Sequence, residues 1–341
     1  MRRWRVWIGL GVSALFLALL LHQVDGGELR DALAEARPGW LALGFAVYLL
    51  ALWVRAARWR VVLRPAVRVT IADAFALVVI GYAANNVLPL RAGELVRAQL
   101  LHERHGASRM AGLGTIVIER ILDGLVLAIF LAATIGLAGG TGLLRGLALA
   151  MLTGFVAALG LVLIAGARPG LAARLAALAA LAPARWRPGA RRLLDGFLAG
   201  LTMLRGRGRW ALVAALTAAS WALEAAMYWL VGIGFGLDLD PLLYFGVCGA
   251  ANLAIGVPSS SGGVGPFEYF AREVVVAFGA TTAAATAYAI ALHALLLIPV
   301  VLMGLALLWR RHIAVRSVLR PAVEPGARAP EPAASPRVAA K

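Results

Sequence analysis

The sequence predicts an all-α polytopic membrane protein. It has about eight hydrophobic helical segments, read as six full spans plus two oppositely oriented re-entrant helical hairpins that form an inverted repeat. Three observations predict this. Hydrophobic residues make up 62% of the 341 and charged residues only 15%, whereas soluble domains sit nearer half and a quarter; mean hydropathy is +0.84. The apolar residues gather in runs close to the roughly 20 needed to cross a bilayer. The net charge of +16 lies in short arginine clusters between those runs, the layout that the positive-inside rule produces. Composition excludes an ordinary soluble enzyme and a disordered chain. The same layout argues against nucleic acid as a partner.

Residues 6–22 form the first span. Arg2-Arg3-Trp4-Arg5 precedes it and no small-x-small cleavage site follows it, so it reads as a retained span with a cytoplasmic N-terminus. Residues 23–38 carry Asp25, Glu28, Asp31 and Glu35 against Arg30 and Arg37, a weakly acidic loop suited to the outside. Residues 39–54 form the second span. Arg55, Arg58, Arg60, Arg64 and Arg68 behind it read as a cytoplasmic loop. Residues 70–88 are apolar but broken by Asp73, Asn85 and Asn86, and Pro89 follows. The next stretch, with Arg91, Glu94, Arg97, Glu103, Arg104 and Arg109, is basic again. Both flanks of 70–110 are then cytoplasmic, which a single crossing cannot satisfy. A re-entrant hairpin turning near Asn86–Gly93 does, provided that its turn is buried in protein or faces a watery cavity.

Residues 112–138 and 143–166 are two further spans. Residues 167–209 form the main basic cytoplasmic loop, with 170–181 and 190–204 as amphipathic helices on the inner surface. Residues 210–235 lead out to Asp238 and Asp240. Residues 283–309 form the last span, whose end Arg310-Arg311 fixes inside. For the count to close, 241–280 must enter and leave from the outside as a second hairpin. Residues 1–315 are thus one transmembrane domain, and the Pro, Ala and Arg-rich residues 316–341 read as a disordered cytoplasmic tail.

The hairpins echo one another. The first has Asn86, Pro89, Gly93 and Glu94; the second has Asn252, Pro258, Gly262, Gly263, Gly265 and Glu268. Secondary transporters use this plan, with broken helices of inverted repeats meeting around a substrate near the midplane. Charges in apolar surroundings cost about 2.5–3.5 kcal/mol each on insertion scales, so the few that occur are candidates. Glu119, Arg120 and Asp123 sit in the run 112–138. Glu119 and Asp123 share a helix face, and Arg120 can pair with Asp123 at i, i+3. Arg91, Glu94 and Arg97 form a ladder of net positive charge able to hold a phosphate. Glycine amides around Gly262–Gly265 could face the same anion. Glu224 and His293 lie within spans, as interhelical hydrogen-bonding groups or as parts of a proton relay.

Cys248 is the one cysteine, so no intrachain disulfide forms. It reads as a small buried apolar residue. No cofactor and no metal site is expected, because no Cys/His cluster has ligand spacing. No catalytic residue is expected either: a P-loop, Gly-x-Ser-x-Gly and His-Glu-x-x-His are all missing. On that ground the chain reads as a non-enzyme.

The stretches Asn86-Val-Leu-Pro89-Leu-Arg91-Ala-Gly93-Glu94-Leu-Val-Arg97, Glu119-Arg120-Ile-Leu-Asp123 and Pro258-Ser-Ser-Ser-Gly262-Gly263-Val-Gly265-Pro-Phe-Glu268 occur in this order. Together they resemble the membrane, flippase-like domain of lysylphosphatidylglycerol synthases, over roughly residues 5–310. In that family a soluble domain transfers the aminoacyl group and the membrane domain moves the product between leaflets. The resemblance implies a stand-alone flippase-like protein of a bacterial or archaeal cytoplasmic membrane, with both termini inside. It implies translocation of a polar or anionic envelope lipid, such as a membrane phospholipid. The substrate-binding candidates are Asn86, Pro89, Arg91, Gly93, Glu94, Arg97, Glu119, Arg120, Asp123, Asn252, Pro258, Gly262, Gly263, Gly265 and Glu268. Two alternatives stay open: a non-catalytic partner of a separate lipid-modifying enzyme, and an integral membrane transferase acting on a lipid carrier. A homo-oligomer also stays open.

Overall fold

The computed structural model describes residues 4–88, 92–138, 142–167, 187, 207–256 and 259–313. Among them are eleven α-helices and one 3-10 turn. In chain order these are α1 (Trp4–Leu21), α2 (Gly26–Ala34), α3 (Pro38–Leu63), α4 (Ile71–Val87), α5 (Gly93–His105) and α6 (Arg109–Ala138). Then follow α7 (Gly142–Ala167), α8 (Arg207–Gly234), α9 (Leu243–Ala254), the turn Ser261–Gly263, α10 (Pro266–Ala277) and α11 (Thr282–Arg310). Pro38–Leu63, Gly208–Gly234 and Thr282–Arg310 are long and apolar enough to cross a membrane by length and composition. The amphipathic stretches expected at 170–181 and 190–204, and the tail from 316, lie outside the described residues.

Local chemistry marks the helix ends. Pro38 opens α3 in the first turn, where a missing N–H costs nothing. The Thr70 hydroxyl caps α4 by accepting from Asp73 N at 3.1 Å. Gly106 ends α5 in the left-handed region at φ 66°.

The helices pack as two matching sets. In the first, α4 and α5 form a hairpin between α3 and α6; in the second, α9 and α10 form a hairpin between α8 and α11. Contacts between sets are paired likewise: α3 packs on α8, α4 on α11, and α6 on α9. Gly112 near the start of α6 packs on Leu101 and Ala98 in the far half of α5. Towards the other end of α6, Thr134 meets Gly246 in the first turns of α9. The α11 end returns to the first hairpin, where Arg311 pairs with Asp73 and donates to Ala72 O at 3.0 Å. The two hairpins therefore enter the bundle from opposite ends, and their tips meet: Gly262 of the second packs over the backbone of Asn86 in the first.

Two sequence expectations need correction. Residues 23–38 do not run wholly as a loop, because Asp25 caps a short helix, α2, by accepting from Gly27 N at 2.7 Å and Glu28 N at 3.2 Å. The second span does not stop at residue 54. α3 continues to Leu63, and Arg55 and Arg58, expected in a cytoplasmic loop, are buried inside the bundle at 4% and 1% exposure. Their charges are tolerated because acidic side chains on α6 and α8 meet them.

Opposite hairpin entry has a direct test. In a Cys248→Ala background, Ser108→Cys should react with an impermeant maleimide only from the cytoplasmic side, and Thr281→Cys only from outside. Labelling of both from one side would remove the opposite orientation.

Candidate functional site

An open cavity of about 120 Å³ lies where the hairpin tips meet. That is room for several waters or a polar group. α4 supplies Asn85 and Asn86, α9 supplies Asn252, and the second tip supplies Gly262. Arg55 of α3, Arg120 of α6 and Glu224 of α8 bring charge to the wall; His293 of α11 and the phenols of Tyr48 and Tyr82 complete its polar part. Leu296, Leu297 and Val300 of α11 make an apolar side.

Of the expected binding residues, Asn86, Arg120, Asn252 and Gly262 line this cavity. The Asn252 amide donates to Tyr228 Oη at 2.9 Å and to Glu224 Oε1 at 3.2 Å, so α9 is tied to α8 beside the cavity. Arg120 is loosely held: its Nε lies 3.4 Å from Glu94 Oε1, its Nη2 lies 3.9 Å from Asp123 Oδ2, and its side chain is one-third exposed. Glu94 thus sits behind Arg120 as its counter-ion.

Arg97, Glu119 and Asp123 lie off the cavity, in a buried ion cluster behind it. Arg58 is its centre. Its Nη1 donates to Asp123 Oδ1 at 2.5 Å and its Nη2 to Glu119 Oε1 at 3.1 Å. Thr217 of α8 accepts from Arg58 Nη1 at 3.1 Å, and Trp221 Nε1 donates to Asp123 Oδ1 at 2.9 Å. Arg97 pairs with the other oxygen of Glu119, and its guanidinium lies 3.7 Å from the ring centre of Trp59. All four side chains are buried and meet one another away from the cavity, so the arrangement joins α3, α5, α6 and α8.

The glycines divide in the same way. Gly93 lets the arms of the first hairpin close: a Cβ there would lie 1.9 Å from Gly81 O. Its N–H donates to Asn85 Oδ1 at 2.8 Å across the turn. Gly262, Gly263 and Gly265 all have positive φ. The Gly265 amide is already taken by Glu268 Oε2 at 2.7 Å, so it does not face a ligand. The other oxygen of Glu268 lies 2.7 Å from His293 Nδ1. Pro89, Arg91 and Pro258 lie outside the described residues.

The sequence reading missed Arg55. Its Nη2 lies 2.6 Å from Glu224 Oε2, its guanidinium carbon is 4.4 Å from the Trp221 ring centre, and its Nε has no hydrogen-bond partner among the described residues. A signal was present. Arg55 and Arg58 are three apart, with Ala56, Ala57, Trp59 and then Val61, Val62 and Leu63 continuing an apolar helix around them.

A family model described as the lysylphosphatidylglycerol synthase TM region matches residues 6–304. Among curated proteins, the chain is 28% identical over 325 residues to "Glycosyltransferase AglD" of Haloferax volcanii, covering 86% of this chain and 52% of that protein. It is 30% identical over 121 residues to a "UPF0104 membrane protein" of Methanothermobacter thermautotrophicus, 35% of each chain. It is 26% identical over 128 residues to "UPF0104 membrane protein MJ1595" of Methanocaldococcus jannaschii, 37% of this chain and 38% of that one. The matches thus span about half or less of these relatives' lengths. No solved structure matches. The likeness to a protein named a glycosyltransferase overturns the expectation of a non-enzyme. Missing soluble-enzyme motifs are weak evidence here, because a membrane transferase assembles its groups from distant helices. The match over nearly the whole chain agrees with the motifs around Asn86–Arg97, Glu119–Asp123 and Gly262–Glu268: this chain belongs to the lysylphosphatidylglycerol synthase transmembrane-region family.

Proposed function

We propose that this protein moves a polar, anionic lipid head group between leaflets of a cytoplasmic membrane, with both chain termini inside. The carrying observation is that two hairpin tips from opposite ends of the bundle converge on one cavity bearing Arg55 and Arg120. A phosphate there would accept from Arg120 and from the Arg55 guanidinium, and the amides of Asn85 and Asn86 suit the remaining oxygens. The polar wall of Asn85, Asn86, Arg55 and Arg120 suits a head group, with the tails left in lipid.

The test uses phosphatidylcholine vesicles doped with a fluorescent phosphatidylglycerol or a labelled polyprenyl phosphate. Wild-type protein should speed leaflet exchange of at least one. Arg120→Ala should cut that rate by about tenfold or more, as expected for one lost charged hydrogen bond. Exchange no faster than in empty vesicles, or unchanged by Arg120→Ala, would overturn the reading.

The AglD likeness favours a second reading, a transferase acting on a lipid carrier. AglD's name describes a protein of which this chain matches about half. Incubation with nucleotide sugars and a polyprenyl phosphate should then yield a glycolipid; absence of product across common nucleotide sugars would count against it.

A further inference from the structure

We propose that Glu268 and His293 form a proton-binding site that clamps the second hairpin tip over the cavity, and that loss of the proton frees the tip. The clamp stands on hydrogen-bond geometry. Only its role in admitting a head group rests on the function proposed above.

Both ring nitrogens of His293 face oxygen. Nε2 lies 3.1 Å from the Gly262 carbonyl, and Nδ1 lies 2.7 Å from Glu268 Oε1. A carbonyl only accepts, so Nε2 carries a hydrogen. The Nδ1–Oε1 contact needs a second proton, on the ring or on the carboxyl. The pair therefore holds one proton more than a neutral imidazole beside a carboxylate. When that proton leaves for water in the cavity, no ring tautomer keeps both contacts. Either the Nδ1 lone pair faces the carboxylate, or the Nε2 lone pair faces the Gly262 carbonyl.

The surroundings make the site specific. The other Glu268 oxygen is held by Gly265 N, and the imidazole stacks on Phe267 with ring centres 4.3 Å apart. His293 is 6% exposed and borders the cavity, which gives the proton an exit. The charged groups facing that cavity from other elements are Arg55 on α3, Arg120 on α6 and Glu224 on α8, with the phenols of Tyr48 and Tyr82. Arg55 and Glu224 meet one another and Arg120 meets Glu94, so each is already paired with opposite charge. The tip has a second anchor on α1: Ser260 N donates to Ser13 Oγ at 2.9 Å, and Ser13 Oγ lies 2.6 Å from Val264 O. Of these two anchors, the one on α11 depends on a proton. Gly262, at φ 80°, sits in a backbone region that other residues rarely adopt, at the point where the tip would swing.

The test places Ser261→Cys on the tip in a Cys248→Ala background, in lipid nanodiscs. Alkylation by a hydrophilic maleimide is followed as pH is raised. Each rate is divided by that of the same cysteine in His293→Gln protein, which cancels thiolate chemistry and keeps an amide donor for Gly262. The ratio should rise by about tenfold across the pH at which the pair loses its proton, and Glu268→Gln should abolish the rise. A flat ratio, or a rise that survives Glu268→Gln, overturns the proposal. Hydrogen exchange at the tip amides of the unmodified protein, corrected for its intrinsic pH dependence, gives the same decision if a variant does not fold: protection should fall as pH rises, and unchanged protection overturns the clamp. Neither readout needs a lipid substrate. Failure of lipid exchange with an intact clamp would thus overturn only the head-group reading, and the converse result only the clamp.

Discussion

Replacing Arg58 by Ala is expected to lower stability by about 3–5 kcal/mol, the usual cost of leaving buried charges without their partner. Arg58 meets Glu119, Asp123 and Thr217 at once and is 1% exposed. Its loss strands Asp123, whose other contacts are Trp221 Nε1 and a distant Arg120, and leaves Glu119 to Arg97 alone. Thermal unfolding in detergent, followed by size-exclusion fluorescence, should show a large fall in midpoint. Asp123→Asn in the same background should recover part of the loss, because an amide tolerates burial better than an unpaired carboxylate. An Arg58→Ala protein that unfolds like wild type would remove the cluster as the joint between α3, α6 and α8.

The second large effect is expected at Gly93. A Cβ there would sit 1.9 Å from Gly81 O and 2.7 Å from Asn85 N, both backbone atoms that cannot rotate away. Gly93→Ala must therefore push α4 from α5 and break the Asn85–Gly93 hydrogen bond. Overpacking of this kind costs about 1–3 kcal/mol, occasionally more, and the lost bond adds about 1 kcal/mol. Gly136 is the matched control. A Cβ there meets nothing within 4 Å, so Gly136→Ala should be neutral or gain up to about 1 kcal/mol from helix propensity. Equal unfolding midpoints for the two variants would contradict the close approach at the hairpin turn.

Much of the architecture was legible because its causes are local. Apolar runs mark the long helices. Asn85, Asn86 and Gly93 interrupt one apolar stretch, and the Gly262–Gly265 run interrupts the other. Basic flanks on both sides of 70–110 forced a hairpin there. The ion cluster was legible only in part. Glu119 and Asp123 stand out in an apolar run, but their partner Arg58 lies 61 and 65 residues away, and Thr217 lies 159 residues from Arg58. Within its own neighbourhood Arg58 looks like one more member of an inner-surface arginine cluster. Arg97 was misplaced for a related reason: local spacing shows a ladder with Glu94, whereas its buried partners, Trp59 and Glu119, come from other helices. The tie between Ser13 and the second tip joins residues 247 to 251 positions apart and leaves no local trace.

The two buried arginines of α3 also constrain how the chain can be made. α3 emerges from the ribosome before any of its counter-charges: Glu119 and Asp123 come with α6, and Glu224 with α8. Each uncompensated arginine carries an insertion cost of about 2.5–3.5 kcal/mol at mid-membrane. The nascent α3 is long and apolar enough to cross a membrane, but carries two charges that have no partner until later helices arrive. Arg58 gains its counter-charges only with α6 and Arg55 only with α8, so the early helix is locked by later ones.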